Sequence, residues 1–141
     1  MVKKIILAIV VVFVGWGVLD FIIHGVILKG AYQETMELWR PEAEMKMTLM
    51  YIVSLLCATG FVLTYNWFVS NKGTMTGLKF GLMWGIVAGL SMGYGSYSVM
   101  PITYGTALVW FLGTIVEMGF AGWFTGMVVK EDTAKEAPAA A

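Results

Sequence analysis

The chain has 141 residues, 59% of them hydrophobic and only 13% charged, and its nine Lys and Arg balance nine Asp and Glu. Soluble domains average about 25% charged residues, so this composition describes a single-domain membrane protein. Zero net charge, with no basic run longer than Lys3-Lys4, leaves nothing for nucleic acid to bind, and the lone Cys57 in an apolar run leaves no disulfide framework.

The first apolar span covers residues 5–28, entered from Val2-Lys3-Lys4. Its basic start resembles a signal peptide, but the run is too long and lacks a small-residue cleavage site, so an uncleaved first helix is expected, ended by Gly30. Residues 29–46 form the only long connection. Tyr32, Met36 and Trp39 share a helical face there, as in a short helix lying on the membrane surface, although an irregular polar loop accounts for the pattern equally well. Pro41 followed by Glu42 and Glu44 reads as the start of a second helix, whose membrane span is 47–69.

Asn71-Lys72-Gly73-Thr74 turns the chain into a third span, 76–99. Six glycines recur there at steps of four, from Gly73 through Gly77, Gly81, Gly85, Gly89 to Gly93. In water each interior glycine would cost a helix about 1 kcal/mol relative to alanine. In lipid the backbone has no other partner, so the helix holds and its bare face admits another backbone closely. Packing within one bundle is preferred here over a dimer face. Met100-Pro101-Ile102-Thr103 is short enough to force an antiparallel hairpin, so the fourth span, 103–129, with Gly105, Gly113, Gly119, Gly122 and Gly126, is the natural occupant of that groove. The fold class is therefore all-α, an integral membrane four-helix bundle with a glycine-zipper third helix in residues 1–129. Residues 130–141 read as a disordered tail.

Lys3, Lys4, Lys72, Lys79, Lys130 and Lys135 fall on one side of such a bundle, and Lys29, Arg40 and Lys46 on the other. Both termini are accordingly expected in the cytoplasm, with the protein in the plasma membrane, the inner membrane if the source is bacterial.

Ionisable groups within spans are costly and mark candidate sites. There are three: Asp20 and His24, four apart on the first helix, and Glu117 on the fourth. Counting along the helices places Ser54 and Ser91 level with Asp20, Tyr51 and Tyr97 close to His24, and Tyr94 between. The cluster belongs to the outer half of the bundle, and the inner half is apolar. Interhelical hydrogen bonding and ligand or proton chemistry would each account for it. Haem or copper at His24 with Met36, Met45, Met47, Met50 or Met100 would be short of strong ligands, so no cofactor is expected. Hydrolytic and nucleotide-binding motifs are absent.

The Trp16-Gly17 pair of the first span, GLKFGLMWG in the third and EMGFAGWFTG in the fourth resemble an uncharacterised family of small bacterial four-helix membrane proteins. The likeness covers most of the chain in layout and few residues in identity; it implies the architecture and no activity, and Asp20 and His24 are not part of it. The expected function is that of a self-assembling or accessory subunit of a membrane complex, in contact with lipid and either its own copies or a larger assembly, without catalysis of its own. The alternative is a small transporter or proton-coupled binding protein using Asp20, His24 and Glu117.

Overall fold

The computed structural model describes residues 1–130; the expected tail, from residue 131 on, lies outside the described residues. These long apolar stretches form helices because a helix satisfies every backbone group internally. Helix α1, Val2–Ile27, is α-helical to Asp20 and π-helical over Phe21–Ile27. Helix α2, Lys29–Glu34, is a short piece in the long connection. Helix α3 is Met47–Phe68; α4 is Thr74–Val99, π-helical over Leu90–Gly95; α5 is Tyr104–Val128. Four of the five are long and apolar enough to cross a membrane, and the described residues contain no strand.

Two expectations for the long connection need correction. The first span is interrupted at Leu28, where the backbone leaves helical geometry (φ −92°, ψ 1°), and Gly30 lies inside α2 rather than ending α1. Leu28 is buried, so the break is held by packing and not by glycine's freedom. Pro41 does not begin α3 either. Glu42–Glu44 make one 3₁₀ turn, Met45 is extended, and α3 starts at Met47. An isolated turn with no buried residue has nothing to offset the cost of helix nucleation.

The remaining turns are tight. Asn71 takes a left-handed conformation (φ 50°) before α4, and the Thr103 hydroxyl caps α5 by accepting from the Thr106 N–H at 3.2 Å.

In the bundle, α5 lies between α4 and α1, and α1 lies between α5 and α3. The α4–α5 contact runs backbone against backbone. A Cβ on Gly77 or Gly81 would collide with the carbonyl oxygens of Gly122 and Met118, and one on Gly85 would stand 2.7 Å from Ile115 Cα. Towards the other end, a Cβ on Gly89 would come to 2.8 Å from the Phe111 carbonyl oxygen, and on Gly93 to 2.5 Å from that of Ala107.

The apolar core fills the end of the bundle where α1 begins, here the terminal end. Ala8, Val12 and Trp16 of α1 meet Ala58, Phe61, Val62 and Tyr65 of α3, with Ala121 of α5 and Val129 just beyond it. Phe80 of α4 packs on Phe61 and Tyr65 at 5.1 and 5.5 Å between ring centroids. Tyr65 donates its hydroxyl to the Gly73 carbonyl at 3.1 Å and accepts the Gly73 N–H at 3.0 Å. The opposite end, towards the 29–46 connection, is more open, and the polar groups lie there.

Candidate functional site

At the loop end, α1 and α5 enclose a partly open cavity of about 120 Å³, lined by Asp20, Ile23, His24, Met92, Trp110, Gly113, Thr114 and Glu117. On α5 the spacing of Trp110, Gly113, Thr114 and Glu117 puts all four on one face. Gly113 lets α1 come close, since a Cβ there would stand 2.9 Å from Ile23 Cδ1. On α1, Asp20 ends the α-helical part and His24 stands within the π-helical turn, where the Leu28 N–H reaches back five residues to the Ile23 carbonyl at 2.9 Å. Next to the cavity, towards the core, Trp16 donates its indole N–H to the Glu117 carbonyl at 2.9 Å and ties α1 to α5.

The three ionisable groups face one another without satisfying one another. His24 Nε2 is 3.8 Å from Asp20 Oδ1, within ion-pair range but too long for a hydrogen bond. The carboxyls of Asp20 and Glu117 both line the cavity. Glu117 Oε1 nevertheless is buried with no partner.

Tyr32, carried back over the bundle by the break at Leu28, joins the two walls. Its oxygen accepts the Trp110 indole N–H at 2.8 Å and is 2.5 Å from His24 Nδ1, and its ring lies parallel to the imidazole with centroids 5.9 Å apart. Indole nitrogen can only donate, so the phenol's own hydrogen is left for His24 Nδ1. With the phenol hydrogen given to Nδ1, a neutral His24 would carry its proton on Nε2, the nitrogen directed at Asp20. Burial pushes the Tyr32 phenol above its ordinary value, the Trp110 bond works against this and the Asp20 charge adds to it, so the group stays a donor at neutral pH. Trp39 leans edge-on against Tyr32 and Trp110 at 5.1 and 6.1 Å, held by its indole N–H to the Thr35 hydroxyl at 3.0 Å. The chain Glu117, Asp20, His24, Tyr32 thus leads from within the bundle to its loop-end surface.

Of the residues singled out from the sequence, Asp20, His24 and Glu117 share this cavity. Tyr94 and Tyr97 do not line it. They pack with Tyr104, ring centroids 6.2 and 6.1 Å away, and Tyr94 also packs on Phe111. Ser91 is exposed on α4, and Tyr51 and Ser54 lie on the half of α3 that leans away from the other helices, with Tyr51 exposed. Tyr32, Trp110, Thr114 and Met92 belong to the site although sequence reasoning does not single them out. The helical spacing of Trp110, Thr114 and Glu117 is a usable signal, whereas nothing in the sequence marks the fold-back that delivers Tyr32.

No group of three or more His, Cys, Asp or Glu is placed to hold a metal among the described residues. Met45, Met47 and Met50 line a separate depression with Arg40, Lys46 and Leu49, and Met92 is the thioether on the His24 cavity. No family model, curated protein or solved structure matches the chain, so its function has to be argued from the site itself.

Proposed function

We propose that this chain is a multi-pass plasma-membrane protein whose working part is a small site for a proton-bearing ligand, formed by Asp20, His24 and Glu117 and open to the outer side. One observation carries this reading: three ionisable side chains from two apolar helices converge on one cavity, and Glu117 Oε1 is left there without a partner. Groups kept only as interhelical glue would be expected to saturate each other, because an unpaired buried carboxyl oxygen costs free energy. The lysines at the terminal end support termini in the cytoplasm and the 29–46 connection outside. The glycine faces of α4 and α5 act in this reading as a zipper that fixes the α5 wall.

The test compares Asp20→Asn and Glu117→Gln with the parent in thermal stability across about pH 5 to 8, the range in which a histidine titrates. Both variants should fold and should flatten the pH profile of the parent. Three coincident profiles would reduce the cluster to packing.

A second reading, a self-assembling or accessory subunit, draws on the loop half of α3, where Met50, Tyr51, Ile52, Val53 and Leu56 are all exposed. The same purified sample decides it. A monomer in mild detergent with nothing co-purifying removes that role.

A further inference from the structure

The polar atoms of the cavity are unbalanced in kind. Trp110 spends its one donor on Tyr32, and Thr114 spends its hydroxyl hydrogen on the Trp110 carbonyl at 2.8 Å, leaving only lone pairs on Thr114 Oγ1. Asp20 and Glu117 contribute carboxyl oxygens, no Lys or Arg lines the cavity, and the one remaining ring donor, His24 Nε2, is directed at Asp20. The rest of the lining is apolar: Ile23, Met92, Gly113 and the Trp110 ring. A guest must therefore bring hydrogen-bond donors and positive charge at one end and an apolar body at the other. A bare inorganic cation would give up its hydration to a wall that is half hydrocarbon. Size agrees, since an apolar cavity of about 150 Å³ takes benzene and roughly 120 Å³ accommodates about five non-hydrogen atoms.

We infer that the cavity takes a small primary alkylammonium ion, its ammonium held by Glu117, Asp20 and Thr114 Oγ1 and its alkyl chain against Ile23, Met92 and the face of Trp110. This rests on reading the cavity as a binding site. Trp110 contributes an apolar wall for the chain. Such an amine, like a lysine side chain, stays protonated to about pH 10.

Entry is an exchange. Two carboxyls facing one small cavity disfavour double ionisation; where a proton is held there, the ammonium brings its own three N–H donors and that proton leaves, so the charge of the site is unchanged. Binding then tightens with rising pH, up to about tenfold per unit where the proton is held. Among the described residues the titratable groups facing Glu117 across the cavity are Asp20 and His24 of α1, with Tyr32 behind His24; α4 contributes only Met92.

The experiment measures the melting temperature of the detergent-solubilised protein with methylammonium, propylammonium, propan-1-ol and potassium chloride, at pH 6 and pH 8. Both ammonium ions should raise it by several degrees, more at pH 8, and propan-1-ol and potassium should not. Glu117→Gln should abolish the shift. Gly113→Ala, whose Cβ would crowd Ile23 on the cavity wall, should weaken propylammonium more than methylammonium. An equal shift from propan-1-ol or potassium, or a propylammonium shift that survives Glu117→Gln, overturns the inference. No amine shift alongside a pH profile that still depends on Glu117 overturns the ligand class and leaves the proton-bearing site standing; loss of both removes the two together.

Discussion

The α4–α5 seam and the α3 flank show how little hydrophobicity alone decides in this bundle. Helix α3 is more apolar than α4 or α5, yet less of it is buried than of either. Leu56 is 65% exposed, whereas further along the same helix Val62 and Tyr65 are fully buried. The α4–α5 pair, studded with glycines, is in contact along nearly its whole length. Where the surroundings are as apolar as the side chains, burial offers no gain in itself, and contact goes to surfaces that fit. Glycine faces fit because nothing projects from them. On α3 the fit begins only where Ala58, Phe61 and Tyr65 meet Trp16 and Phe80.

The strongest way to break this contrast is Gly81→Ala. The added methyl meets the Met118 carbonyl, and backbone cannot swing aside as a side chain can, so a loss of about 3 kcal/mol or more is expected in denaturant unfolding in detergent. Gly60→Ala on α3, with nothing within 4 Å of the new methyl, serves as its control and should be neutral or slightly stabilising. Equal losses at the two positions would show that the seam is not the determinant.

Tyr65→Phe has an intermediate effect. It keeps the ring between Phe80 and the core but strips both hydrogen bonds from Gly73, which should cost about 1 kcal/mol in the same assay. A negligible loss would mean that ring packing alone anchors α3.

Leu56→Ala should have the smallest effect, within about 0.5 kcal/mol, because its side chain touches no core of its own chain. A clearly larger loss would reveal a second chain covering that half of α3.

Along the chain, the sequence is legible in one dimension and blind in another. Apolar runs bounded by Asn71-Lys72 and by Met100-Pro101 announce helices, and glycines from Gly77 to Gly93 at steps of four announce a face without side chains. Depth can be counted residue by residue, which is why counting groups Tyr51, Ser54 and Ser91 with Asp20 and His24. Depth says nothing of direction around the bundle axis. Tyr51 points away with the open half of α3, and Ser91 lies exposed on α4. Direction is readable only where a second residue shares the face, as Gly113 does with Glu117. Tyr32 reads as a membrane-surface anchor because a break at Leu28, a residue with ordinary helical preference, leaves no mark in composition.

The π-helical turns at Phe21–Ile27 and Leu90–Gly95 bear on how chains of this design can differ in length. A turn closed by a bond to the fifth residue back holds one residue more than an α-helical turn needs. Deleting a residue within Phe21–Ile27 would let α1 continue as plain α-helix with the chain beyond the deletion in nearly the same register, because the wide turn absorbs its extra residue locally. Asp20, Glu117 and the Tyr65 core precede or avoid that point, while Tyr32 and Trp39 lie beyond it. The roof and the floor of the cavity would therefore both stay near their places, and the side chains of the turn itself, His24 among them, would be re-aimed. Single-residue length changes at this turn are a route by which such chains could alter the His24 wall of the cavity without rebuilding the bundle.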